Sequence, residues 1–400
     1  MAPPFRTDQI GSLLRPSFLL EARSSVSSPG QMYDVHGDPA IKEAEKRAIL
    51  QVIAKQLQLG IRPIVSGEYC RQIFYGGFFE MLAGMTAIPD LPIPDAFRTN
   101  FPTTTGLAAM GAKTRAAVKC TGPIKWTKSA YLDEWEMIKE GLGHDEKLYK
   151  EAKITMPAPT YQHIQLKPGT AFTPESGYSS DMQYFQALAE AYVQEISALY
   201  SAGCRNIQVD DPHLTYFCSS QFLSGCAKDG TDTDELLDLY LESHNLFLRT
   251  LPKDLRIGVH LCRGNMSGSK HWVTGSYDTI AEKLFTKTDY DTFYLEFDDL
   301  QRSGGFEVLR FLRNGKNVVL GLVSTKKFQL EVEEDLVGKI LEAAEVAKGG
   351  LNALALSPQC GFSSLSVAGG EGMTEERMWE KLELVKKVAR KVWGDDDDDV

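Results

Sequence analysis

The chain has 400 residues, 43% hydrophobic and 24% charged, the balance of a globular protein and not of a disordered or fibrous one. A net charge of −11 argues against nucleic acid as the main partner, because phosphate binding needs clustered Lys and Arg. No apolar run reaches the roughly 18–20 residues of a membrane-spanning helix, so no membrane partner is expected.

Short β-rich runs alternate with longer helical patterns. The first helix is expected over Asp38–Gly60, with Asp38 as its cap, Pro39 in the first turn and Gly60 as its stop. Eight runs read as strands: Ile61–Glu68, Ala117–Ile124, Ala152–Thr160, Cys204–Pro212, Arg256–Gly264, Asp291–Asp299, Lys316–Lys326 and Leu351–Gly361. Helical patterns over Asp181–Gly203, Asp232–Leu251, about Leu330–Lys348 and about Thr374–Trp393 separate or follow them. Such alternation implies parallel strands joined by right-handed crossovers. Eight units is the count of a closed (β/α)8 TIM barrel, an α/β fold. An open doubly wound sheet fits less well, because no Gly-rich phosphate turn follows the first strand. No linker divides the chain, so residues 1–394 read as one barrel with an N-terminal extension and inserted loops at Cys70–Ala116, Lys125–Lys150 and His213–Thr231. The run Asp395–Asp399 has no apolar content, and residues 395–400 read as a solvated, disordered acidic tail.

The opening "MAPPFRTDQIGSLLRP" lacks the basic-then-apolar order of a secretory signal, so the expected location is cytoplasmic. The seven cysteines (70, 120, 204, 218, 226, 262 and 360) are odd in number and widely spread, which is not a disulfide framework. Cys204, Cys218 and Cys226 are expected to be free thiols. Trp126, Trp135, Phe78 and Phe79 lie in inserted loops and read as local packing, with a pocket wall as the alternative.

Polar chemistry gathers at the C-terminal ends of the strand candidates: Glu68, Asp210-Asp211, His260 with Cys262 and Arg263, Glu296 with Asp298 and Asp299, Ser324-Thr325-Lys326, and Gln359-Cys360. Barrel enzymes build their sites at that rim. In "RIGVHLCRGN" the two-residue spacing puts His260 and Cys262 on one strand face. Glu296 lies in the apolar "YLEFD", where a carboxylate is costly unless paired or bound to a cation. Cys360 sits at a turn between Pro358 and Gly361. Each alone has a bland reading as a core residue. Together, His260, Cys262, Glu296 and Cys360 make a His/Cys/Cys/Glu set of the kind that holds zinc. Two thiolates reduce the Lewis acidity of such a zinc and suit it to activating a third thiol, so alkyl transfer to sulfur is the chemistry implied.

These pieces, with "QIGSLLRP", "VSGEYCR", "IQVDDP", "GLVSTK" and "LSPQCGF", run in order from residue 9 to residue 362. The chain thereby resembles the catalytic C-terminal barrel of the cobalamin-independent methionine synthase family, and in particular its short single-barrel relatives. The resemblance implies zinc on His260, Cys262, Glu296 and Cys360. It implies amino-acid contacts at Ile10, Gly11, Ser12, Glu68 and Asp210, with Arg71 and Asp211 beside them. Two carboxylates can hold an ammonium group, and the backbone of the Ile-Gly-Ser turn can hold a carboxylate. The implied activity is that of a 5-methyltetrahydropteroyltriglutamate–homocysteine S-methyltransferase, with Glu68, Asp210 and Lys326 in catalytic positions.

The sequence also departs from the family. Lys326 stands where the synthase has a histidine placed to protonate the leaving folate nitrogen. It reads as a replacement proton donor, an anion holder, or an ion-pair partner of Asp298 or Asp299. Tyr161 and His163, in "TMPAPTYQH", stand where the synthase has a tryptophan for the pteridine. The expected partners are therefore small molecules: a thiol, with homocysteine first, and a methyl donor of which a folate is one candidate. The alternatives are a zinc-dependent transferase acting on another electrophile, such as an epoxide opened by a thiol, and a catalytically inactive zinc-binding relative. A decarboxylase-like branch of the same fold needs no zinc set. The sequence carries no signal for oligomeric state.

Overall fold

The computed structural model describes residues 2–24, 38–264, 271–364 and 372–394. Strands β1 (Ala83–Pro92) and β2 (Thr114–Lys125) form an antiparallel hairpin. Six shorter strands, β3 (Ile154–Pro157), β4 (Asn206–Asp210), β5 (Arg256–Leu261), β6 (Thr292–Glu296), β7 (Asn317–Val323) and β8 (Leu354–Pro358), form one parallel sheet in sequential order. Their residues are buried, apart from Arg256 at the start of β5, as expected for a parallel sheet covered on both faces.

Two N-terminal segments complete the ring. Thr7 bridges to Leu356 beside β8, and Ile64 bridges to Ala152 beside β3, both in parallel. The two segments meet where the Thr7 hydroxyl donates to the Arg62 carbonyl at 3.2 Å. The result is an α/β TIM barrel of eight staves, as the alternation implied. Two of the eight staves, however, differ from the expected ones. The segment Ile61–Glu68 runs in the barrel wall but forms no regular strand, because Pro63 has no N–H to give to a ladder and only Ile64 bridges. The segment Ala117–Ile124 is not a barrel strand at all. It lies in β2 and pairs with β1, which is largely exposed and comes from a segment that read as a loop. The N-terminal segment, expected outside the barrel, takes the missing place.

The helices follow their local signals closely. Asp38 accepts from the Ala40 and Ile41 amides and caps the helix Pro39–Leu59, which Gly60 ends at φ 63°. Ser180 caps Asp181–Ser201, Asp232 caps Thr233–Leu248, and Thr374 caps Glu375–Trp393. The pattern near Leu330–Lys348 resolves to Glu333–Val346. The acidic tail and Asn265 lie outside the described residues.

Strand alternation sorts residues into two faces. Phe293, Leu295, Val318, Leu320, Leu354 and Leu356 join the main core between sheet and helices. Their alternates Tyr294, Val319 and Ala355 cluster separately with Ile10 inside the barrel. The residues two steps further along, Glu296, Gly321 and Ser357, belong to the same inner face at the C-terminal rim.

A candidate metal and amino-acid site at the barrel rim

His260 is the penultimate residue of β5, and Cys262 follows the strand on the same face. The register pairs His260 with Tyr294, so Glu296, two residues on, stands level with Cys262. Cys360 arrives two residues after β8 ends. The ligand atoms of His260, Cys262, Glu296 and Cys360 all lie within 4.8 Å of one another. The two sulfurs are 3.3 Å apart. Backbone amides of the turn after β5 face the group: Arg263 N donates to Glu296 Oε1 at 2.8 Å, and Gly264 N to Cys262 Sγ at 3.2 Å.

The electrostatics favour anions here. Hydrogen bonding from the Cys360 thiol brings Cys262 down to about 6 despite burial, and the same contact drives Cys360 well above the ordinary thiol value. Burial pushes Glu296 up, but the Lys326 and Arg302 charges overcome it and hold the carboxyl below its usual value. Arg302 Nη2 lies 3.0 Å and Lys326 Nζ 3.8 Å from Glu296 Oε2. His260 is 2% exposed, yet among the described residues neither ring nitrogen finds a nitrogen or oxygen hydrogen-bond partner. A buried imidazole left this way beside two sulfurs and a carboxylate fits a soft or borderline divalent cation such as zinc.

Beside this cluster a small pocket opens. His260, Cys262 and Cys360 form one wall, and Ile10, Ser12, Glu68 and Asp210 form the other. Phe74 supplies an aromatic side. Glu68 has φ 60°, a left-handed conformation that a non-glycine residue adopts at a cost. Its Oε1 accepts from Thr155 Oγ1 at 2.7 Å, while Oε2 is buried with no hydrogen-bond partner among the described residues. Asp210 ends β4 and accepts from Gln208 Nε2 at 2.7 Å. Burial raises Asp210 to about 7, against the pull of His260 and with the repulsion of Glu68. Burial likewise raises Glu68, opposed by Arg71. Both carboxyls are thus poised to gain a cation. Gly11 turns at φ 133°, and a Cβ there would meet Thr155 Cγ2 at 2.6 Å and Glu68 Oε1 at 3.0 Å.

The structure brings Ile10, Ser12, Glu68, Asp210, His260, Cys262 and Cys360 to one pocket, with Glu296 in the metal-type cluster and Gly11 against Glu68. Other expectations resolve differently. Lys326 Nζ lies 3.8 Å from Glu296 Oε2, while Asp298 pairs with Arg302. Arg71 does stand behind Glu68, at 4.0 Å, and is held by Glu134 at 3.0 Å. Asp211 turns away from the pocket: it accepts from Thr160, His244 and the amides of His213 and Leu214. His163 is tied to Asp181 and Tyr240 in the core, and Tyr161 packs tilted against Tyr75 and edge-on against Phe74. Trp126 donates to Glu195 and Trp135 to the Ala202 carbonyl, while Phe78 and Phe79 are core residues, so all four pack locally. Cys204, Cys218 and Cys226 are buried free thiols.

Sequence reasoning missed Thr155, Glu134, Arg302 and Phe74. Thr155 could have been found by alternation along β3, and Arg302 by its i,i+4 spacing from Asp298. Glu134 comes from the inserted helix Leu132–Gly141 and gives no sequence signal.

The chain is thus a (β/α)8 barrel whose strand ends carry a cysteine, imidazole and carboxylate cluster that could hold a metal ion. Residues 174–375 match the profile of the cobalamin-independent synthase catalytic domain. Two uncharacterized proteins of Bacillus subtilis (strain 168), YxjG and YxjH, are 33% and 32% identical to the chain, each over 98% of it and 95% of their own length. A solved structure from Listeria monocytogenes, provisionally named a vitamin-B12-independent methionine synthase, superposes with a TM-score of 0.70. It is 29% identical, over 99% of this chain and 100% of that one. A B12-independent methionine synthase from Shewanella sp. W3-18-1, solved in complex with selenomethionine, shares the fold at a TM-score of 0.68 with 18% identity, over 98% of each chain. The chain belongs to the cobalamin-independent methionine synthase family.

Proposed function

We propose that the protein is a zinc-dependent methyltransferase that methylates an amino-acid thiol, homocysteine, to give methionine. The carrying observation is one pocket with two complementary walls: the His260, Cys262, Glu296 and Cys360 cluster on one side, and the Glu68 and Asp210 carboxyls with the Ile10–Ser12 turn on the other. Zinc held by those four residues supplies a Lewis acid that lowers the pKa of an incoming thiol.

The chain's own residues do the rest. Glu68 and Asp210 receive the α-ammonium, whose charge offsets the burial that raises both carboxyls. The backbone of the Ile10-Gly11-Ser12 turn receives the α-carboxylate. The amino acid is then anchored by its head, with its sulfur directed to the cluster wall. The buried rim keeps water from the nucleophile. In the transfer a carbon–sulfur bond forms as the donor's bond to its methyl group breaks, and the electron pair goes to the donor atom. Lys326, 3.8 Å from Glu296, is the cation placed to give that atom a proton or to steady its charge. Selenomethionine in the Shewanella protein is the kind of ligand that this pocket would accept.

The test is zinc K-edge absorption of the purified chain with and without homocysteine, joined to a methionine assay by mass spectrometry over a panel of methyl donors that includes methyltetrahydrofolates. The expected result is a shell of two sulfurs and two nitrogen or oxygen ligands that gains a third sulfur with homocysteine, and methionine formed from one donor. Stoichiometric zinc whose shell ignores homocysteine overturns the reading and favours another thiol and electrophile. Absence of zinc from carefully handled protein removes the metal assignment and the methyltransferase with it.

A further inference from the structure

Beneath the pocket the barrel interior is not uniformly apolar. Interior layers of such barrels are usually filled by branched apolar side chains. Here Val319, Ala355 and Ile10 obey that rule. Below Asp210, however, lie Asp8 and Lys153, an ion pair at 2.6 Å with each side chain 1% exposed. A buried ion pair is weak support for stability, since apolar residues of similar volume often do as well or better. Its contacts give it another use.

Lys153 Nζ donates to Asp8 Oδ1, to the Gln9 carbonyl at 2.5 Å and to Gln208 Oε1 at 2.7 Å. An ammonium only donates, so this contact fixes which end of the Gln208 amide is oxygen. The NH₂ group is thereby aimed the other way. It donates at 2.7 Å to Asp210 Oδ1 and at 2.7 Å to the Ile10 carbonyl. Tyr294 closes the network, with its hydroxyl on Asp8 Oδ2 at 3.1 Å and its ring 4.6 Å from Lys153 Nζ. One amide, 0% exposed, thus ties the carboxyl that ends β4 to the turn in the N-terminal segment.

We propose that Gln208, oriented by Lys153, is a positioning residue that holds Asp210 and the Ile10–Ser12 turn at one fixed separation, so that the pocket selects thiols bearing an α-amino-acid head. The proposal rests on the reading of that pocket given above. Gln208 is not among the residues that line the pocket. It acts by denying Asp210 and the turn independent movement.

The test uses the zinc-loaded full chain and two variants. Gln208→Leu removes both donors and the acceptor. Gln208→Glu keeps the shape and the acceptor for Lys153 but cannot donate to Asp210 or Ile10. Calorimetry measures L-methionine binding. In the cobalt-substituted protein, thiolate-to-metal absorption measures 2-mercaptoethanol, a thiol without the head. The expected result is at least a tenfold weaker L-methionine affinity in both variants, with about one metal per chain and a 2-mercaptoethanol response within twofold of the parent. Unchanged L-methionine affinity in both variants overturns the proposal. So does an equal loss of both probes with metal retained, because that marks a general disturbance of the rim. If Gln208→Leu fails to fold, Gln208→Glu decides. A zinc-loaded parent that binds 2-mercaptoethanol but no amino acid instead sinks the pocket reading, and this proposal with it.

Discussion

The two walls of the pocket are built in opposite ways. The cluster wall stands on strand ends, where His260 and Cys262 are two residues apart on β5, and Glu296 and Cys360 reach the same level from β6 and β8. Its geometry follows from strand period and parallel register. The clamp wall is assembled from a turn in the N-terminal segment, a left-handed residue at the end of an irregular stave, and the end of β4, with Arg71 of a loop and Glu134 of an inserted helix behind it. The first wall is set by the ladders of the parallel sheet. The second depends on single contacts between segments outside those ladders, so it is the more easily tuned and the more easily broken.

The comparison predicts that damage to one wall spares the other. The largest effect is expected from Cys262→Ser, which removes one sulfur from the cluster. Zinc affinity measured by chelator competition falls by more than about 100-fold, beyond the roughly 10–100-fold cost of losing an outer-shell partner, while the melting temperature of the metal-free chain moves little. Zinc retained at full affinity would show that the cluster is not a metal site.

Arg71→Met strikes the clamp wall. It leaves Glu134, 3% exposed, as a buried uncompensated charge, and such a loss costs about 3–5 kcal/mol. Denaturant midpoints measure it, and the double variant Arg71→Met/Glu134→Leu recovers part of the loss. A stability drop with zinc content unchanged supports the separation of the walls, whereas loss of metal from this variant would join them.

Gly11→Ala is a finer probe. The new methyl would press on Thr155 and Glu68 at a backbone angle that L residues rarely adopt, a strain of about 1–3 kcal/mol. L-methionine binding is expected to weaken while zinc affinity holds, as read by calorimetry and chelator competition. Equal weakening of both would contradict independent walls.

The smallest effect concerns the support of the rim. His213 follows β4 and is packed against Tyr161, Phe101 and Tyr216. Burial lowers its pKa to about 3, helped by Arg115 and opposed by Asp211. The unfolded chain, with an ordinary histidine value, therefore binds the proton more readily than the folded one. The contribution to stability is fully present above about pH 6.5 and declines as pH falls toward 3, by at most about 1.4 kcal/mol per unit. Urea midpoints at pH 7.5 and 5.0 measure the slope, and His213→Phe flattens it. An unchanged slope in that variant would assign the acid sensitivity to other groups.

Alternation of apolar runs and helices was enough for the barrel, and the cap Asp38 and the pattern from about Thr374 marked their helices to within a residue or two. The cluster was legible for the same reason, since a two-residue spacing in a strand has one meaning. The hairpin was not legible. Half of it, β1, carries Gly, Pro and exposed residues, and β2 has the composition of a core strand, so only its pairing separates it from the barrel. That Lys326 stands 3.8 Å from Glu296 was not legible, because three carboxyls follow one another at alternate or adjacent positions and only the strand face decides which one lies near it.

What the sequence determined by itself was therefore periodic: the six regular barrel strands, the long helices, and that His260, Cys262, Glu296 and Cys360 converge at one rim. Only tertiary structure decided that the N-terminal segment is a stave of the barrel, that Glu134 and Arg71 stand behind Glu68, and that Gln208 and Lys153 join the clamp's parts. Those contacts link residues as much as 200 positions apart by single hydrogen bonds or ion pairs (Gln208 to Ile10 spans 198). Neighbouring side chains repeat with the backbone and leave a pattern in the sequence, whereas a lone long-range hydrogen bond repeats with nothing.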